Sequence, residues 1–328
     1  MRKAQKMFVA GLVTIALLLV SPALFTALAA SFPERPVTII IPFRPGGGTD
    51  IETRNAVPFF QKYSGQPLVP KSMAGAATTI GVTAAENSRA DGYTIIGVVI
   101  PDVVLAQEFH NSGTHVENFE PIYGWFEGPM SLSVSGDSPF NSLKDLIAEG
   151  KKRKLKAALS GRGSIDHLLT LILAEKTGII SPIVIPYGGG GPATKAGMSG
   201  EVDFLIGVST TSVRFVRDNR LKSLAIIGPE RVEALPGVPT VNELGFNDFP
   251  YIPFVRGVMA PPGTPRDRVD ALEAIYKQAV DDSEFLAIME KQGRPVKKFS
   301  SAQMKKAIAD AFNTTKKYMP FMKEGTEK

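Results

Sequence analysis

Short apolar runs alternate along the chain with helical patterns, and glycine-rich stretches separate many of them. Residues 37–43 and 93–100 are rich in Val and Ile, which is typical of buried strands. Residues 51–63 lie between them with a helical pattern that ends at Ser64-Gly65. Pro58 inside it should either kink the helix or break one of its hydrogen bonds. This alternation predicts an α/β fold with mostly parallel sheets flanked by helices.

The pattern restarts after residue 129. Strands are predicted at residues 129–134, 155–160, 183–185, 202–208 and 221–227, and helices at 142–149 and 165–177. Residues 251–260 are extended, and the chain from Arg266 onward is helical with a charged outer face. The repeated pattern predicts two α/β domains.

The first glycine loop has the features of an anion site. Residues 44–48 read RPGGG, directly after a predicted strand, and residues 49–52 read TDIE, the spacing of a capping box that starts a helix. A strand, a tight loop and a helix N-terminus bring several backbone N–H groups and the positive end of a helix dipole together. We therefore expect a small carboxylate to bind here.

Two further loops of this kind lie in the second half of the chain. Residues 161–166 separate a predicted strand from a helix, and residues 188–191 are four consecutive glycines before another helix. Ligands of open α/β sheets bind at the carboxyl ends of strands. The loops of the two halves should therefore face each other across one cleft.

The first thirty residues have the pattern of an export signal. Arg2, Lys3 and Lys6 precede an almost wholly apolar stretch, and residues 27–30 read ALAA, a small-residue cleavage pattern. Cleavage after Ala29 and after Ala30 are equally compatible with it; an uncleaved membrane anchor is the alternative. The chain has no cysteine, so it is not a lipoprotein, and an exported protein without disulfides fits the periplasm.

Charge and motif patterns argue against several classes of binding site. The net charge of +5 falls to +2 once the three cations of the signal are removed, so no nucleic-acid partner is expected. The glycine loops match neither a dinucleotide fingerprint nor a P-loop. His110 and His115 lie in a predicted polar loop without zinc-ligand spacing, so neither a metal nor a cofactor is expected.

Ser164, Asp166 and His167 have the residue types of a hydrolase triad, but they are too close in sequence to form its hydrogen-bonded chain. Asp50 and Asp166 each lie in the first turn of a predicted helix, where dipole stabilisation and capping are favoured over ligand contact. For His167, bonding to the loop and contact with a ligand both remain open.

The order of several motifs resembles that of the tripartite tricarboxylate transporter substrate-binding proteins, the Bug-type periplasmic receptors. The stretches that carry the resemblance are PFRPGGGTD at 42–50, DGYT at 91–94, GRGSIDH at 161–167, IPYGGGGPA at 185–193, GEVD at 200–203, LPGVPTVNELG at 235–245 and APPGTP at 260–265. The chain departs from the family pattern at residues 73–80, at Gly188 and at residues 100–102. Ligand identity should therefore not be transferred from a relative.

This resemblance implies a type II-like, hinge-closing periplasmic binding protein. Residues 1–30 would be the signal peptide, residues 31–128 and 254–328 the first domain, and residues 129–253 the second. Loop 46–49 would hold the ligand carboxylate, and loops 161–167 and 187–191 would meet its other end. The candidate ligand-binding residues are Arg44, Pro45, Gly46, Gly47, Gly48, Thr49, Asp50, Ala76, Ala77, Thr78, Pro101, Asp102, Ser160, Gly163, Ser164, Asp166, His167, Tyr187, Gly188 and Ser209.

The functional hypothesis is a monomeric, non-enzymatic receptor that binds a small organic acid and delivers it to the membrane components of a tripartite transporter. The acid is a mono-, di- or tricarboxylate, an aromatic acid or an amino acid, among which the sequence does not choose. Two alternatives remain open. One is a ligand sensor for a signalling partner, and the other is a secreted α/β hydrolase with Ser160 or Ser164 as nucleophile.

Overall fold

The computed structural model describes residues 32–324, and the residues from Arg35 onward form one compact unit. Its strands are β1 (Val37–Ile41), β2 (Leu68–Ser72), β3 (Thr94–Ile100), β4 (Glu120–Gly128), β5 (Met130–Ser135), β6 (Lys156–Leu159), β7 (Ile183–Pro186), β8 (Phe204–Val208), β9 (Leu221–Ile227), β10 (Phe254–Ala260) and β11 (Phe299–Ser300). Its helices are α1 (Gly48–Ser64), α2 (Thr79–Glu86), α3 (Asp102–His110), α4 (Leu143–Gly150), α5 (Ile165–Thr177), α6 (Gly190–Met198), α7 (Ser209–Arg217), α8 (Arg266–Asp281), α9 (Ser283–Lys291) and α10 (Ser301–Glu324).

The first sheet has six strands in the order β11-β4-β10-β3-β1-β2. Strands β2, β1 and β3 are parallel, whereas β10 runs antiparallel between β3 and β4. A core of Val, Ile and Met side chains, among them Ile96, Val98 and Met304, fills the space between this sheet and helices α2, α3 and α10. We call this sheet and its helices the first lobe.

The second sheet has five strands in the order β7-β6-β8-β5-β9. Strands β7, β6 and β8 are parallel, and β5 is antiparallel to both of its neighbours. Helices α4 to α7 belong to this second lobe. Pro129 alone separates β4 of the first lobe from β5 of the second, so the chain crosses between the lobes there and returns through residues 228–253.

The predicted α/β fold class is confirmed. Strands that alternate with helices are parallel, as predicted. Both sheets also contain antiparallel strands, because the strands at the crossovers between the lobes run against their neighbours. The predicted domain limits at residues 128–129 and 253–254 remain a proposal. The signal-peptide prediction lies outside the described residues, and no helix within residues 32–324 is long and apolar enough to cross a membrane.

Two local predictions were wrong. His110 does not lie in a polar loop, because it is the last residue of α3, a helix that the sequence did not indicate. Thr49 does not cap α1: the N-cap is Gly47, without a side-chain hydrogen bond, and Glu52 is buried and pairs elsewhere. The buried strand β4 was not predicted from the sequence.

Candidate functional site

The first-lobe loop between β1 and α1 is held by its own aspartate. The Gly46 N–H donates to Asp50 Oδ2 at 2.9 Å, and Arg54 Nε donates to Asp50 Oδ1 at 2.9 Å. Gly46 has a φ of +78°, a left-handed conformation that glycine adopts at no steric cost. Asp50 is buried under the loop and supports it, while Arg44 and Pro45 are exposed.

The start of α1 offers backbone donors. The first N–H groups of a helix have no partner within the helix, and here they belong to Gly48, Thr49 and Asp50. Together with the positive end of the helix dipole, these donors can bind a carboxylate.

A buried charge cluster lies directly beside this helix start. Glu52 Oε1 accepts hydrogen bonds from both Arg256 and Arg294, and Glu52 Oε2 accepts one from Trp125 Nε1 at 3.2 Å. Arg294 also donates to the Gly48 carbonyl at 3.3 Å. Two guanidinium groups share one carboxylate, so the cluster carries one excess positive charge.

Arg256 is almost fully buried, with 3% of its surface exposed. Its guanidinium carbon lies 4.7 Å from the ring centre of Phe126 and 5.0 Å from that of Phe254, a cation–π arrangement. Burial lowers the pKa of Arg256, and the Glu52 carboxylate opposes that shift. A side chain at Gly48 would meet Arg256 Nη2 at 2.7 Å, so the cation lies against the helix start.

Residues 76–78 form a turn with an unusual backbone. Ala76, Ala77 and Thr78 have φ values of +45°, +48° and +87°, which side-chain-bearing residues rarely adopt. Such strain is found preferentially at functional sites. The Thr78 hydroxyl is buried and has no hydrogen-bond partner.

The second-lobe loop between β6 and α5 is also organised around an aspartate. Asp166 Oδ2 accepts the Ser160 N–H at 2.5 Å, and Oδ1 accepts the Ser160 hydroxyl at 2.9 Å and a short bond from the Ser164 hydroxyl. Burial raises the pKa of Asp166, and the bonds from Ser164 and Ser160 oppose the shift. Its oxygens are therefore used by its own loop.

The geometry of His167 does not fit a catalytic triad. His167 Nδ1 accepts the Gly163 N–H at 3.2 Å, so the histidine bonds the loop, and its Nε2 is buried without a partner. Burial lowers the pKa of His167 to about 4, which keeps the ring neutral. The Ser164 hydroxyl donates to Asp166 and not to His167, so no Ser–His relay exists here.

The lobes touch each other along these loops. Asp102 Oδ1, at the start of α3, accepts the N–H of Ile165, the first residue of α5, at 2.9 Å. His110 Nε2 lies 2.9 Å from the Arg162 carbonyl oxygen, and the rings of Phe109 and His167 are 5.5 Å apart.

Glycines make this close approach possible. A Cβ at Gly161 would lie 3.8 Å from that of Ala77, and one at Gly188 would lie 2.7 Å from Arg44 Nη2. Gly163 packs in the same way against Phe109, with a possible Cβ 3.0 Å from its ring. The first-lobe and second-lobe candidates therefore meet in one interlobe region.

Three further candidates lie in local settings within one lobe. The Tyr187 hydroxyl donates to Glu201 at 2.8 Å within the second lobe, and its ring packs on the core of that lobe. Ser209 begins α7 at the carboxyl end of β8; its hydroxyl is buried without a partner. Pro101 is buried as the N-cap of α3.

The buried cluster of Glu52, Arg256 and Arg294 was missed by sequence reasoning. One signal was present, because Arg256 interrupts an otherwise apolar strand, FVRGVMA. A charged residue inside a buried strand requires a partner. The partner, Glu52, is 204 residues away from Arg256 in the chain and 242 residues away from Arg294, so only folding brings the three together.

Comparisons with known proteins agree with this architecture. The chain matches the family model described as "Tripartite tricarboxylate transporter family receptor" over residues 53–323. It is 33% identical to Protein BugT of Bordetella pertussis over 270 residues, which are 81% of this chain and 82% of that protein.

Solved structures show the same fold. The periplasmic binding protein BugD superposes with a TM-score of 0.81 at 28% identity, over 89% of this chain and 98% of that one. MatC from Rhodopseudomonas palustris, solved with bound malate, superposes with a TM-score of 0.80 at 27% identity, over 87% and 98% of the two chains. These relatives are substrate-binding proteins and not enzymes. The chain belongs to the tripartite tricarboxylate transporter receptor family.

Proposed function

We propose that this protein is a periplasmic receptor that captures a small organic carboxylate between its two lobes and delivers it to the membrane components of a tripartite transporter. The observation that carries the proposal is the start of α1, where three backbone N–H groups lie beside the excess positive charge of Arg256, Glu52 and Arg294. Malate bound to MatC supports a carboxylate ligand.

The binding step follows from charge and hydrogen bonding. A carboxylate at the helix start would accept the N–H groups of Gly48 and Thr49, and the buried guanidinium beside them would stabilise its charge. The second lobe would close over the ligand, because ligand contacts made by both lobes favour the closed arrangement.

The predicted site residues fit this scheme in distinct roles. Gly48 and Thr49 would bind the carboxylate through their free N–H groups. Gly46 and Gly47, whose N–H groups bond Asp50 and the Arg44 carbonyl, would shape the loop beside it, and Asp50 would hold that loop. Loop 76–78 and the second-lobe loops would surround the rest of the ligand. Export by the N-terminal segment would place the receptor in the periplasm.

Substitution of Gly47 tests the carboxylate site. A Cβ at Gly47 would lie 3.2 Å from the Arg44 carbonyl oxygen, so Gly47→Val should displace the loop and cover the N–H groups while φ stays in an allowed region. In thermal shift with a panel of carboxylates and amino acids, the best wild-type ligand at 100 times its Kd should stabilise the wild type by about 2.7 kcal/mol. The variant should show almost none of this stabilisation.

Gly237→Val is the matched control, because nothing lies within 4 Å of a Cβ at Gly237. It should keep the ligand response of the wild type. Undiminished ligand stabilisation in a folded Gly47→Val protein would refute the assignment of the carboxylate site to this loop.

A further inference from the structure

The N-terminus of α5 differs from that of α1, because carboxylates of the protein already occupy it. Asp102 Oδ1 accepts the Ile165 N–H at 2.9 Å, and Asp166 Oδ1 accepts the His167 N–H at 3.2 Å. A ligand anion placed at α5 would have to displace one of these carboxylates and would be repelled by the other. The N-terminus of α5 is therefore not free to bind a ligand anion.

Asp102 still has an unused acceptor. Its Oδ1 bonds across the lobe boundary, whereas no hydrogen bond to Oδ2 exists in the described part of the chain. Asp166, in contrast, accepts several hydrogen bonds from its own loop, so it would act on a ligand only through its negative charge. Asp102 Oδ2 is thus the position where a donor from a ligand would bind.

The interlobe region consequently has opposite charges at its two ends. The first-lobe end has one excess positive charge, from Arg256 and Arg294 against Glu52, as well as the N–H groups of α1. At the other end, Asp102 of first-lobe helix α3 lies at the start of α5, close to Asp166 of the second lobe. The buried Thr78 hydroxyl, which has no partner, lies on the turn whose Ala77 faces Gly161 across the boundary, so an unsatisfied polar group is also present between the lobes.

From this polarity we infer that the ligand is an amino carboxylic acid, with its carboxylate at the start of α1 and its ammonium group on Asp102 Oδ2. This inference rests on the proposed function and narrows its substrate class. Asp102 acts as the specificity-determining residue: in its ionised form it attracts an ammonium group and repels the second carboxylate of a diacid, and an ammonium group bound at Oδ2 in turn favours that ionised form. An ammonium–carboxylate pair in a desolvated cleft loses much of its binding energy when one partner is neutralised.

Isothermal titration calorimetry with ligands of matched length tests the inference. The probes are the proteinogenic amino acids and two pairs of similar length, β-alanine with malonate and 4-aminobutanoate with succinate. For the wild type, an amino acid should bind about 100-fold more tightly than any diacid of the panel. Tighter binding of the diacids would overturn the inference and leave the proposed function intact, whereas no binding by any probe would count against both.

Asp102→Asn separates the charge of the residue from its structural bond. The asparagine Oδ1 can still accept the Ile165 N–H, so the lobe contact is retained. The variant should bind the preferred amino acid about 100-fold more weakly and should bind the diacid of similar length no more weakly than the wild type does. Equal losses for both ligands would assign Asp102 a structural role and overturn the inference.

Glu108→Gln is the matched control, since Glu108 is an exposed carboxylate on the same helix α3. It should leave both affinities unchanged. If Glu108→Gln weakened amino-acid binding as much as Asp102→Asn does, the loss would come from the lower negative charge of the protein as a whole. The assignment of the ammonium site to Asp102 would then fail.

Discussion

At the scale of single residues, three aspartates at helix starts have different roles. Asp50 and Asp166 each bond the loop that precedes their helix. Asp102 instead reaches across to the other lobe. Burial and the neighbouring Asp166 carboxylate raise its pKa to about 7, and the Ile165 N–H and Arg256 oppose this shift. The same residue type in the first turn of three helices thus gives two loop supports and one interlobe contact.

His167 should make the stability of the protein depend on pH. Its pKa is about 4 in the folded protein and 6.5 when unperturbed, so between these values the unfolded state binds more protons. Its contribution to the free energy of unfolding should therefore be full above pH 6.5 and should fall by about 3 kcal/mol as the pH drops to 4.

The measurement is urea unfolding of the wild type and of His167→Asn at several pH values. Asparagine keeps an acceptor for the Gly163 N–H but does not titrate. Asp102, with its raised pKa, contributes the opposite trend between pH 4 and 7, and it does so in both proteins. The difference between the two unfolding free energies should therefore change with pH only through His167; a constant difference would contradict the prediction.

At the scale of elements, helix α1 and strand β10 are connected by buried charges. Glu52 lies in the second turn of α1 and is fully buried, and Arg256 lies in the middle of β10. The strand would be wholly apolar without this arginine. The pair therefore fixes the start of α1 against the first sheet, and the third member, Arg294, follows helix α9.

Glu52→Gln should destabilise the fold strongly, because it leaves the buried Arg256 and the partly buried Arg294 without the carboxylate that they share. Removing one partner of a buried ion pair lowers the free energy of unfolding by about 3–5 kcal/mol. Denaturant unfolding measures this loss. The matched control is Glu149→Gln, which removes one of the two carboxylate partners of the exposed Arg153 and should have little effect. A small effect at Glu52 would show that water already screens the cluster.

At the scale of the whole molecule, the two lobes are linked by Pro129 and by residues 228–253, and they contact each other through facing loops. Glycines at these loops allow the approach. Gly161 faces Ala77 directly across the boundary, and a Cβ at Gly161 would lie 3.8 Å from that of Ala77, so a side chain no larger than alanine would just fit there. Any larger side chain there must separate the lobes.

Gly161→Leu should therefore hold the lobes apart without unfolding either one. Small-angle X-ray scattering should give a larger radius of gyration than for the wild type, and the preferred ligand should no longer reduce it. Gly237→Leu, at an open surface position, should behave like the wild type. Unimpaired ligand-induced compaction in Gly161→Leu would contradict closure at this contact.

Much of the fold was predictable because its signals are local. Valine- and isoleucine-rich runs predicted β1, β3, β8 and β9, and the helix after the second glycine loop was placed at residues 165–177, as observed for α5. Strand β4 and helix α3 were not predicted: β4 is buried along most of its length, and α3 starts with Pro101-Asp102 and ends in residues that resemble a loop.

The sequence by itself determined the α/β class, the family and the glycine loops at the helix starts, since these depend on local periodicity and on motifs in a defined order. Only the tertiary structure decided which charges those loops meet. It placed Arg256 and Arg294 beside the RPGGG loop and Asp102 at the start of α5. The physical reason is that electrostatic pairing acts through space, and these partners are separated by up to 246 residues of chain.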